Sequence, residues 1–217
     1  MSASPLPDGP RRYHHGNLKA ALVEAGLALL EERGLANLSL REIAARVGVS
    51  HTAPKNHFGS LKGLLTAIAA EGFRRHAAAL EAGLRPEDGP VERLHAAADG
   101  YVRFARDHPA LFRLMFSADL CNHEDPDLSA AASASYGVLA RLAERLAPGK
   151  GGGGGQTRME TLLWSIVHGY AMLANEGQLA TGPEGNPVHG ILDLFRHWPD
   201  LGGSGNRRNR VAVTVLS

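Results

Sequence analysis

From residue 17 onward, apolar residues return every three or four positions. Leu22, Ala25, Gly26 and Leu29 follow the i, i+3, i+4, i+7 rule, which predicts a helix from Asn17 that stops at Gly34, with Arg33 as the cation of its last turn. Ser39-Leu40-Arg41-Glu42 reads as a capping box: Ser39 accepts from the Glu42 N–H while Glu42 reaches back to the Ser39 N–H. The box starts a short helix that turns Ile43, Ala44 and Val47 inward and ends at Gly48. Ser50 then predicts an N-cap for a second short segment, His51 to His57. A longer helix from about Ser60 to Leu80 carries Leu61, Leu64, Leu65 and Ile68 on one face. Beyond a break at Gly83 to Gly89, Pro90 to Asp107 repeats Leu94, Ala97, Tyr101 and Phe104 at helical spacing. Pro109 opens a short segment with Leu111, Phe112 and Met115, and an acidic loop from Asp119 to Asp127 leads to a helix with Leu128, Leu139, Leu142 and Leu146. Gln156 to about Leu179 and Val188 to Trp198 complete the series. Period-two alternation never builds a set of strands, and the closing Val211-Ala-Val-Thr-Val-Leu216 is short and isolated, so the pattern predicts an all-α chain of about nine helices without repeats.

Composition changes this picture in three places. The segment Pro148 to Gly155 holds six glycines in eight residues, which reads as a flexible linker. Residues 1–15 read as a disordered basic arm and 201–217 as a loose tail, leaving an expected head at 16–76 and an expected larger domain at 77–200. Aromatics are only 6% of the 217 residues, so the core must rest on Leu, Ala, Val and Ile. The net charge of +1 conceals a +4 front over residues 1–80, a −6 middle over 81–200 and a +3 tail. With one cysteine, Cys121, no intrachain disulfide is available. The absence of a signal-peptide pattern, and apolar stretches no longer than Leu64 to Ala70, point to a cytoplasmic protein without a membrane span.

The strongest chemical signal is the pair of short helices within 39–58 joined by a tight glycine-containing turn. Such a helix-turn-helix can place the start of its second helix in the major groove of DNA, with cations and helix N-termini on phosphates. His51 and Thr52 fall at that start, and Lys55, Asn56 and His57 give the segment hydrogen-bonding or cationic residues with little apolar surface to bury. The other reading is an ordinary helical hairpin with a solvated face.

Three stretches carry a family resemblance: Tyr13-His-His-Gly-Asn17, Gly34 to Ser50, and His57-Phe58 followed by Leu64-Leu65. They resemble the N-terminal DNA-binding domain of TetR-family transcriptional regulators. Phe104 to Phe116, with Trp164-Ser-Ile-Val-His168-Gly169, is similar to the C-terminal domain of the subgroup named for its Trp-His-Gly signature. The resemblance implies a three-helix head with DNA contacts from Ser39, Arg41, Ser50, His51, Thr52, Lys55, Asn56, His57 and Lys62. It also implies a helical C-terminal domain that dimerises and encloses a small effector. Two contact positions depart from the family pattern. Lys55 stands where relatives place a Tyr, and Leu61 where they place a Lys, with Lys62 one residue later and about 100° further round the helix.

In the C-terminal domain, Trp164, His168 and Asn175 share a helical face that lines either a core or an effector pocket beneath Tyr101, Phe104, Phe112 and Met115. Leu163, Val167, Tyr170, Leu173 and Ala174 on one helix, with Ile191, Leu194, Phe195 and Trp198 on the next, predict pairing across a two-fold axis through helices near 156–179 and 188–198. Cys121, His123, Glu124, Asp125 and Asp127 sit in one loop but lack a second paired cluster, so no metal is expected. The glycines at 151–155 follow no strand, which removes a dinucleotide reading, and no catalytic motif with supporting context is present. The sequence therefore predicts a non-enzymatic, cofactor-free homodimeric regulator, a repressor that binds a pseudo-palindromic DNA operator and is released by a small apolar or amphipathic effector. The competing reading is a ligand-binding or interaction module with weakened operator binding, motivated by Lys55 and Leu61.

Overall fold

The computed structural model describes residues 18–146, 155–179 and 187–193. Every regular element among them is helical: α1 (Leu18–Arg33), α2 (Leu40–Val47), α3 (Ala53–Phe58), α4 (Leu61–Glu81), α5 (Pro90–Asp107), α6 (Pro109–Met115), α7 (Pro126–Leu146), α8 (Gly155–Asn175) and α9 (Pro187–Leu192). A single 3-10 turn, Leu35–Asn37, joins α1 to α2. The arm over 1–15, the glycine run through 154, the tail over 201–217, and Leu194, Phe195 and Trp198 lie outside the described residues.

The cap of α2 forms, with one difference from the expected box. Ser39 Oγ accepts from the Glu42 N–H at 3.3 Å, but Glu42 Oε2 accepts from the Ser39 hydroxyl at 3.0 Å and not from its backbone N–H. The other Glu42 oxygen faces Arg33 at 3.3 Å, which pulls the carboxylate towards α1. Arg46 adds a two-pronged bond to Glu32, at 2.7 and 2.6 Å, so α2 is tied to α1 at both ends. Replacing Ser39 with alanine is expected to destabilise the protein by about 1 kcal/mol, read as a lower urea midpoint at an unchanged m value.

The structure corrects the start of α3. Ser50 does not cap the helix: its hydroxyl lies 3.1 Å from that of Thr52, and the chain turns through His51 before the helix begins at Ala53. Pro54 therefore falls at the second helical position, where its missing N–H costs nothing, and its buried ring anchors the helix from beneath. At the far end, the α3 carbonyl of Phe58 comes so close to the first turn of α4 that a Cβ at Gly63 would stand 2.1 Å from the Phe58 oxygen. Ser60 caps α4 by accepting from Gly63 N–H at 3.1 Å. Gly63 is thus required at the junction.

Helix α4 belongs to two packing units. Its first half buries Leu64, Leu65 and Ile68 against the head, and its second half buries Phe73, His76 and Leu80 in the larger domain. Arg75 holds Glu24 of α1, Arg74 holds Asp127 of α7, and Glu81 holds Arg141 of α7. Gly100 lets α5 press onto α4, since a Cβ there would meet the Ala79 oxygen at 2.1 Å. Helix α1 also reaches the body directly: its Glu31 accepts from the Leu111 N–H in the first turn of α6 at 3.2 Å, with His108 Nδ1 3.8 Å away.

Helices α7 and α8 depart modestly from expectation. Asp125 accepts from the N–H groups of Asp127 and Leu128 at 3.0 and 3.1 Å, so α7 begins at Pro126 inside the acidic loop. Helix α8 already includes Gly155 and ends at Asn175, four residues short of Leu179, because Gly177 takes a left-handed conformation. The residues considered as metal ligands diverge: Cys121 is buried near the Leu65 and Leu114 carbonyls, Asp125 caps α7, and Asp127 pairs with Arg74.

Candidate DNA-binding face and effector cavity

Helix α3 and the turn before it present a continuous polar face. His51, Thr52, Lys55, Asn56 and His57 are exposed, whereas Pro54 is buried and Phe58 half-buried against the head. Ser50 and Arg41 are exposed beside them, and Lys62 extends from the first turn of α4. From Ile43 to Ala70 the chain has no Asp or Glu, so Lys55 and Lys62 meet no nearby carboxylate in sequence. Ser39 differs from the rest of the expected contact set: it is half-buried, and its hydroxyl is engaged with Glu42 both as donor and as acceptor. Those two bonds fix the N-terminus of α2. His51 and Thr52 reach the face from the turn and not, as the sequence suggested, from the helix.

The second site is a cavity of about 560 Å³ in the larger domain, enclosed by α4, α5, α7, α8 and α9. Its deep wall is formed by Phe73, His76, Leu80, Leu94 and Tyr101, and Tyr136 and Trp164 stand partly exposed nearer solvent. Of the residues expected to line a pocket, Tyr101 and Trp164 do so. Phe104, Phe112 and Met115 are buried in the core behind the wall, because α6 packs its apolar face onto α4 and α1. His168 also stands behind it, with Nδ1 2.7 Å from the Tyr101 hydroxyl and its ring edge-on to Phe116 at 4.6 Å. Asn175 points elsewhere and donates to the Ala105 carbonyl at 2.8 Å.

Sequence reasoning missed His76, Ser135 and Tyr136. His76 is 3% exposed; Nδ1 lies 2.7 Å from the Ser135 hydroxyl, and its ring packs edge-on to Tyr101 at 4.5 Å and to Phe104 at 5.1 Å. Burial, reinforced by His168, pushes its pKa down to about 3, so the ring is neutral at physiological pH. Burial likewise lowers His168 and raises the Tyr101 phenol. Tyr136 donates to the buried carboxylate of Glu160 at 2.8 Å, and burial together with that bond lifts its pKa to about 12.

Comparison with known proteins assigns both halves. The family described as bacterial regulatory proteins, tetR family, matches residues 22–68, and the family described as tetracyclin repressor-like, C-terminal domain, matches residues 94–192. The chain belongs to the TetR family. A protein of unknown function from Rhodococcus sp. RHA1 is 35% identical; the match covers 86% of this chain and 97% of that one, with a TM-score of 0.72. A TetR-like transcriptional regulator from the same organism shares the fold at 19% identity and a TM-score of 0.56, over 89% of this chain and all of that one. A multidrug binding protein, EbrR, solved with imidazole, shares it at 21% identity and a TM-score of 0.55, over 82% and 93% of the two chains. No protein of curated function matches. The TetR assignment makes this a DNA-binding transcriptional regulator with a helix-turn-helix head. None of the described helices is long and apolar enough to cross a membrane.

Proposed function

We propose that this TetR-family protein is a homodimeric repressor that binds a pseudo-palindromic operator and leaves it when a small apolar or amphipathic molecule fills the cavity. The observation that carries the reading is the double membership of α4, whose first half packs the head while Phe73, His76 and Leu80 of its second half face the cavity. A ligand that fits only one position of the second half changes the position of the first, and with it the spacing of two recognition helices that must sit about 34 Å apart. The ligand acts by binding the wrong-spacing state better than the DNA-competent one. The same reading divides the chain into a head over 16–76 and a regulatory domain over 77–200, with α4 running across the boundary and carrying Phe73 and His76 to the cavity.

Dimerisation through α8 and α9 is supported by an outward stripe. Leu162, Leu173 and Ile191 are exposed large apolar side chains, and Ser165 and Gly169 lie between the two leucines on α8. Leu173 and Ile191 belong to the expected set, whereas Leu163 and Val167 of that set are buried in the protomer's own core and Leu162 joins the exposed stripe. The experiment is a titration of the purified protein against duplexes tiled across the DNA upstream of its own gene, at fixed salt. One dimer should protect one two-fold site. Thr52→Ala should lower affinity for that site by about tenfold and blur its sequence preference, while Lys55→Ala should weaken every duplex alike. Binding no stronger than to random duplex, with Thr52→Ala indifferent, favours the alternative of a ligand-binding module with weakened operator contact.

A further inference from the structure

Ion pairing sorts the Lys and Arg of residues 18–76 into two groups. Arg33 meets Glu42, Arg46 meets Glu32, and Arg74 and Arg75 share Glu71 while also reaching Asp127 and Glu24. Lys19, Arg41, Lys55 and Lys62 are exposed and have no ion pair among the described residues. No carboxylate of the head is turned towards them. Glu24, Glu32, Glu42 and Glu71 are held by the paired arginines, and Glu31 accepts from the Leu111 N–H.

Arg41, Lys55 and Lys62 already belong to the polar face around α3. Lys19 comes from elsewhere, the first turn of α1. Its Nζ stands 5.9 Å from the centre of the Phe58 ring, a distance at which the face of an aromatic ring attracts a cation. Phe58 is the last residue of α3. Lys55 lies one turn before it on the same helix, and Lys62 lies in the first turn of α4, whose Gly63 packs against the Phe58 carbonyl. One lysine each from α1, α3 and α4 thus stands around the α3–α4 junction. Like charges gathered without a counter-charge repel, and that repulsion is relieved when an anion joins them. The ring holds the long Lys19 stem without neutralising it, which leaves the N–H donors of the ammonium to an oxygen acceptor. Beside a helix that enters the major groove, the anion at hand is the DNA backbone.

We propose that Lys19 binds a DNA phosphate, closing with Lys55 and Lys62 a three-lysine grip on the backbone at the end of α3. The inference rests on the head being a DNA-binding one and is independent of effector and of repression. Lys19 carries no sequence information in this role; it adds affinity and fixes how the head sits on the duplex.

The test is the salt dependence with which the full-length protein binds a fluorescent mixed-sequence duplex, followed by anisotropy, because each phosphate contact releases counterions whatever the sequence. Lys19→Gln should weaken binding and lower the slope of log affinity against log salt by about 0.9 for each subunit bound, and Lys19→Arg should restore the wild-type slope. Arg145→Gln is the control. It removes the same charge from the last turn of α7, one turn beyond the Arg141–Glu81 pair at the far end of α4, and should leave the slope as in the wild type. An unchanged slope in Lys19→Gln overturns the proposal, and a lower urea midpoint alongside it would assign the Phe58 contact to folding alone. An equal drop in Arg145→Gln overturns it in favour of a general charge effect. A wild-type protein that binds no duplex overturns instead the DNA-binding reading beneath it.

Discussion

Lowering the pH from 7 to 5 is expected to cost the folded protein about 2 kcal/mol through His76 alone, and about 4 kcal/mol by pH 3. The ring has a pKa of about 3 when folded against 6.5 when free, so between those values the unfolded chain takes up a proton that the folded chain refuses. Stability rises with pH wherever the unfolded state holds more protons; the His76 contribution is therefore intact above about pH 7 and declines steadily as the pH falls below 6.5. His168, also lowered by burial, acts in the same direction, and acid-sensitive carboxylates add their own slope. The difference between the wild type and His76→Phe isolates the residue. Urea midpoints measured from pH 7 to 4 should fall faster in the wild type, and parallel lines would mean that the imidazole is hydrated or charged when folded.

Substituting Gly63 by alanine should be the most damaging single-methyl change in the head. The added Cβ stands 2.1 Å from the Phe58 carbonyl oxygen, a backbone atom that also accepts from the Ser60 N–H at 2.8 Å. No rotamer can relieve a contact between a Cβ and a main-chain oxygen, so α3 must shift relative to α4 or the turn at Gly59 must open. Overpacking of this kind costs about 2–4 kcal/mol. The functional loss should be larger, since a displaced α3 misplaces its polar face at both half-sites; operator affinity should drop by at least about a hundredfold. The helical circular dichroism signal and a cooperative urea transition should survive, which separates a damaged head from an unfolded chain. Wild-type operator affinity in Gly63→Ala would show that the Phe58 contact does not set the pose of α3.

The sequence makes the helices legible more readily than their partners. Helix α5 has its expected bounds, Pro90–Asp107, because proline marks its start and His108-Pro109 its end. The start of α3 is displaced by two residues because Ser50 and Thr52 are both good caps, and a hydroxyl pair at 3.1 Å, invisible to propensity, lets the helix begin after the second. On the polar face, Arg41, His51, Thr52, Lys55, Asn56, His57 and Lys62 are brought together because a short helix anchored by Pro54 has few other ways to bury itself. The cavity was harder to read. Its central group, His76, comes from the last turns of a helix that the pattern attaches to the head, and its bond partner Ser135 is 59 residues away. Helix α8 is apolar on two sides, so periodicity alone could not say that Leu163 and Val167 face inward and Leu162 and Leu173 outward.

The Glu31 contact sets a limit on how such proteins can be recombined. The carboxylate that satisfies the first turn of α6 is not part of the body that α6 helps to build; it is lent by α1 of the head. A chimaera that grafts a foreign head onto this body brings its own residue to that position, and with an apolar one the Leu111 N–H loses its acceptor. Head and body are therefore not freely interchangeable cartridges. A biosensor that pairs this cavity with another operator should keep an acidic side chain at the position of Glu31.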